Sequence, residues 1–324
     1  MRGRSLQELH SETWLVAAVM RGGRLIVPHG DTVLSEHDVV TVVGAGSDYS
    51  EMVRAFTISE GRFPLDFGKR VAVVVDDPSD LRFRLPEALV LTRDSHATSV
   101  VVVHRDPETL RDESRAADLE HLLEAVTAGA GEVEVRLRPV PGPPYRALRS
   151  VVGDESIGAV VLPAPAPGLL GRARAVGALH RAARLGLPVL FSRGSHPYEH
   201  VVIAGRGTAT AEGAARAVID LAEHGRGRVT AVVAVPAVFR MGADGRAVAP
   251  RALTRLREDA ALRGVEVRER IRRGSPGWMI EALPEDADLL VIGMPARSPS
   301  LLRPGDLGQL AAAARCSVLV VPAR

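Results

Sequence analysis

The chain has 324 residues, with 41 basic against 39 acidic side chains, one cysteine and 3% aromatic residues. A formal charge of +2 argues against a nucleic-acid binder, and a single cysteine excludes an internal disulfide or a cysteine-rich metal site. No apolar run reaches the roughly 18 residues that span a bilayer, and the start, MRGRSLQELH, lacks the apolar stretch of a secretory signal. We therefore expect a cytosolic chain, one that docks to the inner face of the membrane if its partner sits there. Scarce aromatics demand aliphatic cores, which suit buried parallel strands under alanine-rich helices. Lys69 is the sole lysine. The arginine bias fits GC-biased coding better than anion recognition.

The first elements are SLQEL (5–9), a short helix capped by Ser5, and TWLVAAVM (13–20), a strand. RGG (21–23) is a hairpin turn whose glycines accept positive φ, and RLIVP (24–28) is the return strand. DVVTVVG (38–44) is a third strand and SDYSEMVRAF (47–56) a helix. This is a small α+β unit. TISEGRFPLDFG, 57–68, mixes glycine, proline and charge without periodicity and reads as a linker.

A second segment opens at Lys69. RVAVVVD (70–76) is a buried strand, followed by a helix around 86–94 and the strand TSVVVVH (98–104). A long helix covers 107–129. EVEVRLRP (132–139) alternates and so should be an edge strand. Then come a helix near 145–152, strand GAVVLP (158–163), a loop and helix, and strand LPVLFS (187–192). A third segment repeats the order: HVVIAG (200–205), a helix at 211–225, RVTAVVAVP (228–236), a helix at 249–264, and the alternating VEVRERI (265–271). A helix at 275–283, strand ADLLVIG (287–293), a helix at 305–316 and SVLVVP (317–322) complete it. GAVVLP corresponds to DLLVIG and LPVLFS to CSVLVV. A period of about 130 residues is too long for a solenoid and describes two copies of one α/β domain with parallel sheets, the two packing face to face.

Both long segments resemble universal stress protein domains. The opening strand, the alternating third strand and the ending DLLVIG…CSVLVVP (288–322) carry the likeness, the last most specifically. The N-terminal segment resembles the C-terminal domain of RCK/TrkA-type potassium-transport regulators, through SLQEL and WLVAAVMRGGRLIVPHGDTVLSEHDVVTVVG. That family's first strand is missing here or reduced to MRGR, so a partner supplies it or the chain continues something longer. The expected architecture is an RCK C-terminal-like domain at 1–57, a linker at 58–68, and two Rossmann-like, five-stranded parallel-sheet domains of the adenine nucleotide alpha hydrolase-like kind at 69–195 and 196–324.

The universal stress resemblance implies nucleotide binding by a loop G-x2-G-x9-G-(S/T) after the fourth strand, where backbone N–H groups approach phosphates. In the second copy Gly293 holds the first glycine position and Ala296 replaces the second. Gly305 stands one residue early for the third, beside Asp306, which would repel a phosphate. Arg297 and Arg303 would offset that charge, making this the place for ATP or AMP. Gly205 and Arg206 occupy the region of the expected aspartate after the first strand. The first copy keeps Asp76 and Asp77 there, but its loop, PAPAPGLLGRARAVG (163–177), has prolines where N–H donors are needed. Gly168 and Gly171 sit late, so nucleotide is not expected in this copy.

The RCK resemblance implies a homodimer and a small regulatory ligand. Arg21, Arg24 and His29, near Asp31, would line a groove with donors suited to cyclic di-AMP. Its three strands should leave Trp14, Leu15, Val39 and Val43 on an apolar face. His10, His29 and His37 match no standard metal spacing. GAGSD (44–48) lacks the third glycine of a dinucleotide turn. RERIRR (268–273) reads as a solvated strand face. SRGSHP (192–197) gathers Ser192, Ser195 and His196 but reads as the link between copies, and no GxSxG or HExxH occurs. Cys316 reads as a packed core thiol. No enzyme is expected. The resemblances imply a ligand-sensing regulatory module of a K+ or Na+/proton transporter, fused or separate, gated by nucleotide or cyclic dinucleotide. The alternative is a free-standing tandem stress protein that binds or slowly hydrolyses ATP.

Overall fold

The computed structural model describes residues 5–9, 14–35, 38–45, 62–75, 77–104, 113–128, 131, 133–140, 142–205, 211–235, 243–273, 283–294 and 310–322. It divides into a smaller unit, Met1–Gly61 with Leu262–Gly264, and a larger one, Arg62–Ala261 with Val265–Arg324.

In the smaller unit a 3-10 turn, Leu6–Leu9, precedes β1 (Trp14–Arg21), β2 (Arg24–Ile26) and β3 (Val39–Gly44). The antiparallel order is β2-β1-β3. Gly22 (φ 54°) and Gly23 (φ 80°) form the two-residue hairpin turn that sets Arg21 opposite Arg24. Trp14, Val19 and Leu34 make the core. Leu15 (61% exposed), Leu25 (68%), Val39 (64%) and Val43 (56%) form an open apolar face, with Leu15 paired to Val43 across the strands. Trp14, expected on that face, is buried instead. It neighbours Leu15 on one strand, and neighbours point to opposite sides. The helix expected at 47–56, the GAGSD turn beyond 45, and His10 and His37 lie outside the described residues.

The larger unit alternates strands and helices: β4 (Arg70–Val75), α1 (Leu81–Arg93), β5 (Ser99–His104), α2 (Glu113–Thr127), β6 (Glu134–Pro139), α3 (Pro144–Glu155), β7 (Ile157–Pro163), α4 (Leu169–Leu185) and β8 (Val189–Ser192). Then follow β9 (His200–Gly205), α5 (Ala211–Gly225), β10 (Arg228–Val235), α6 (Ala243–Leu262), β11 (Val267–Arg273), β12 (Leu289–Met294) and β13 (Ser317–Pro322). One ten-stranded sheet results, β11-β10-β9-β12-β13-β8-β7-β4-β5-β6. Within each half the pairing is parallel and the spatial order is third, second, first, fourth, fifth. The halves meet where β13 runs antiparallel to β8, Leu319 opposite Leu190. They join edge to edge rather than face to face, because β8 and β13 would otherwise be open aliphatic edges.

Central strands read as unbroken apolar runs because helices cover both faces; β4, β5 and β13 are buried almost throughout. The alternating third strands, β6 and β11, take the outer edges as expected. Their charges, such as Glu134 and Arg136 on β6 and Arg268, Glu269 and Arg270 on β11, discourage further pairing. The RERIRR segment thus forms much of β11, where Glu269 pairs with Arg257 at 3.3 Å.

Several boundaries differ from expectation, among them the start of α6, at Ala243 instead of 249. α1 begins at Leu81, five residues before Pro86, which lies inside the helix in its second turn and forfeits the backbone bond to the Arg82 carbonyl. Of the stretch 57–68, residues 62–68 fold into turns of the larger unit, with Phe63 only 3% exposed. Before β13 the described helix is confined to 310–313.

Candidate ligand site

In doubly wound sheets ligands enter where the strand order reverses, beyond the carboxyl ends of the strands. Those points lie between β9 and β12 in the second half and between β4 and β7 in the first.

In the second half Gly293 sits at the end of β12, opposite Val321 of β13. The start of α5 presses close: a Cβ on Gly213 would lie 3.3 Å from Val321 and 3.5 Å from the Pro322 carbonyl. This packing brings a helix N-terminus beside the carboxyl ends of the strands. Ala296, Arg297, Arg303, Gly305 and Asp306, like Arg206, lie outside the described residues.

In the first half Asp77 follows β4 and caps the 3-10 turn Pro78–Asp80, its Oδ1 accepting the Ser79 N–H at 2.8 Å. Hydrogen bonding by Ser79 holds this carboxyl below its ordinary range, against desolvation. His104 ends β5, fully buried, with neither ring nitrogen hydrogen-bonded. The proline loop offers little to a phosphate. The Ala164 N–H is given to the Ser192 carbonyl at 3.0 Å. The Ala166 carbonyl lies over Gly171, where a Cβ would stand only 1.6 Å away. Pro163, Pro165 and Pro167 have no N–H at all.

The smaller unit disposes of its three expected ligand residues differently. Arg21 makes a two-pronged ion pair with Asp38, Nε to Oδ1 and a terminal nitrogen to Oδ2, both 2.8 Å, and also donates to the Val33 carbonyl. The hydrogen bond from Arg21, opposed by desolvation and assisted by the Ser35 N–H, holds the Asp38 carboxyl below its ordinary range. The guanidinium therefore has an anion already. Arg24 and His29 are exposed, the latter in a turn closed by Thr32, whose hydroxyl accepts the His29 N–H at 2.8 Å.

Two buried networks went unnoticed in the sequence. Glu87 on α1, wholly buried, accepts from the Ser192 hydroxyl (2.5 Å), the Gly194 N–H (2.9 Å) and the Tyr198 hydroxyl (3.1 Å). Ser195 bonds instead to Ser317 and the Asp288 carbonyl. The SRGSHP segment is thus tied down by hydrogen bonds across the junction. The second network, at the amino ends of β9 and β10, aligns Asp286, His200 and Thr230, at 3.1 Å and 2.8 Å. Desolvation works against ionisation of Asp286, yet His200 and Arg228 hold it below its ordinary range. The order resembles an acid–imidazole–hydroxyl relay, but the hydroxyl is sealed in, Thr230 being 3% exposed. It braces two strand ends and offers no nucleophile to a substrate. Serines and a histidine at strand ends were the only sequence signals for either network.

Comparisons with known proteins agree with this architecture. The TrkA-C domain model matches residues 1–57, and that of the universal stress protein family matches residues 197–322. No curated protein sequence matches the chain. Among solved structures, a universal stress protein from Archaeoglobus fulgidus superposes with a TM-score of 0.58 at 14% identity, covering 78% of this chain and 96% of that one. A functionally unknown protein from Pseudomonas aeruginosa gives 0.57 at 17%, covering 79% and 93%. The cytoplasmic domain of a prokaryotic cation chloride cotransporter gives 0.53 at 16%, covering 78% and 95%. Among the described residues no helix is long and apolar enough to cross a membrane.

Proposed function

We propose that the chain is a non-catalytic, ligand-sensing regulatory module of a monovalent-cation transporter, K+ or Na+/proton. One observation carries the reading: a TrkA-C match and a universal stress match in a single chain. In this reading the first half is a second, diverged universal stress domain. Its strand order repeats that of the second half, and the solved neighbours cover 78–79% of the chain, more than 197–322 alone. The likeness to a cotransporter's cytoplasmic domain fits a transporter partner. ATP or AMP binds, if anywhere, at the carboxyl ends of β9 and β12 through Gly293, Arg297, Arg303 and Gly305. Nucleotide is not expected in the first half, whose loop has Pro163, Pro165 and Pro167 in place of N–H donors. The smaller unit pairs with a second copy through its open apolar face, and a cyclic dinucleotide there would meet Arg24 and His29. A ligand regulates only by favouring one arrangement of the assembly over another.

The test joins binding to transport. Calorimetry of the whole chain with ATP, AMP and cyclic di-AMP should give binding to at least one. An Arg297→Ala, Arg303→Ala double variant should weaken ATP or AMP by about tenfold or more, and Arg24→Ala should weaken cyclic di-AMP. Rubidium flux through a monovalent-cation transporter co-expressed with this chain should respond to the ligand only when the chain is present. Ligand binding with no effect on flux would favour a free-standing stress protein, a reading helped by the longer of the two family matches being the universal stress one. Light scattering should give a dimer for the whole chain and a monomer for a chain starting at Arg62, where the larger unit begins.

A further inference from the structure

Between Glu155 and Glu199 the chain has no acidic residue, its longest such stretch, while it carries Arg172, Arg174, Arg181, Arg184 and Arg193. Four of these arginines and His180 fall on α4, a helix of 17 residues. None of the four has a carboxylate partner among the described residues, in contrast to Arg21, Arg70, Arg84 or Arg228. Ala175 and Leu179 bury one face of α4 against the junction strands β8 and β13. At 100° per residue the opposite ridge carries Leu170, Arg174, Arg181 and Arg184, all exposed. Leu169 and Leu170 are 84% and 77% exposed, the most solvent-accessible large apolar side chains among the described residues. They sit beyond the proline loop, whose Pro167 and Gly168 are also exposed.

We infer that this face of the larger unit docks on an anionic lipid surface, with Leu169 and Leu170 entering the headgroup boundary and Arg174, Arg181 and Arg184 contacting lipid phosphates. Charge complementarity selects the occupant. An acid-free row of arginines attracts an anionic surface and repels a basic one, and guanidinium forks suit phosphate oxygens. The leucine pair adds what a purely polyanionic partner would leave unused, an apolar anchor at one end of the charged row. Nucleic acid fits less well, because its binding to single strands relies on aromatic platforms and the described part of this ridge has none. Binding of this kind is reversible and would bring the module to the membrane whether or not the ligand-sensing reading holds.

The experiment is flotation of the whole chain with vesicles of pure phosphatidylcholine and with vesicles in which about a quarter of the lipid is phosphatidylglycerol, a density that gives a clear negative surface potential. The chain should float with the anionic vesicles and stay behind with the neutral ones, and added salt should release it. An Arg174→Gln, Arg181→Gln, Arg184→Gln variant and a Leu169→Ser, Leu170→Ser variant should each lose about tenfold or more in vesicle affinity, with far-ultraviolet circular dichroism unchanged, since all five side chains are exposed. No flotation with anionic vesicles, equal flotation with both, or flotation untouched by both variants would overturn the inference. So would binding of the wild-type chain to duplex DNA or RNA through the same arginines with no response to vesicles. Failure here leaves the ligand titrations and flux measurements as they were.

Discussion

Gly68 and Gly158 meet where the entry to β4 passes β7. A Cβ on Gly158 would stand 2.2 Å from the Gly68 carbonyl oxygen, and one on Gly68 would stand 2.4 Å from the Ser156 carbonyl. Neither backbone can retreat without breaking the β4–β7 pairing, so Gly158→Ala should cost about 2–3 kcal/mol, read as a lower urea midpoint at constant slope. Cys316, in the core beneath β13, has its thiol pushed up to about 11, chiefly by burial. It should ignore Ellman's reagent at about pH 8 in the native protein and react at once in denaturant; rapid native reaction would contradict the packing. Asp38 is held below its ordinary range by Arg21. A carboxyl of this kind stabilises the fold fully above its unfolded value, about 3.9. That contribution fades as pH falls through the lower folded value. Asp38→Asn should therefore reduce the stability of the smaller unit at neutral pH and flatten its acid dependence, followed by Trp14 fluorescence in a Trp278→Phe background.

Helix α1 does more than cover the first half. Through Glu87 it holds Ser192, Gly194 and Tyr198, the segment that passes the chain to the second half. Beyond its end, the His96 N–H reaches the Phe63 carbonyl, and the Phe63 N–H reaches the buried Asp220 of α5 at 2.6 Å. Glu87→Ala would strand three donors and should cost about 3–5 kcal/mol, whereas Glu87→Gln keeps an acceptor and should cost less. Both halves should unfold in one transition, because β8, β13, α1 and α5 share their packing. The strands were readable in the sequence: β4, β5 and β12 are unbroken aliphatic runs, and β6 and β11 announce an edge by alternating. The junction was not. Its carboxylate and its donors stand 105 to 111 residues apart in the chain, a separation that no local pattern reports. Trp14 was misplaced because a three-stranded sheet has two faces of nearly equal apolarity, and only the course of 5–9 and 30–34 decides which one is covered. Of the candidate ligand residues, Gly293 lies near the end of β12, opposite Val321. The pairing of Arg21 with Asp38 spans 17 residues, a distance at which no local pattern reports it.

The two compact units rest on very different cores. Among the described residues the smaller one buries only Trp14, Val19 and Leu34 deeply, while the larger has three clusters running the length of its sheet. Amide hydrogens of β1 and β3 should therefore exchange much faster than those of β4, β9 and β12. Equal protection would mean that the open face of Leu15, Val39 and Val43 is covered in solution. The antiparallel seam between β8 and β13 has a further effect. It turns the second half through a half-circle relative to the first, so the carboxyl ends of β4 and β7 point to one margin of the sheet and those of β9 and β12 to the other. The two halves thus present their mouths on opposite walls. A small molecule lodged in one wall is out of reach of the other, and no single ligand can bridge them. Whatever one mouth learns can reach the other only as a mechanical message, carried through the seam itself and the helices that lie across it.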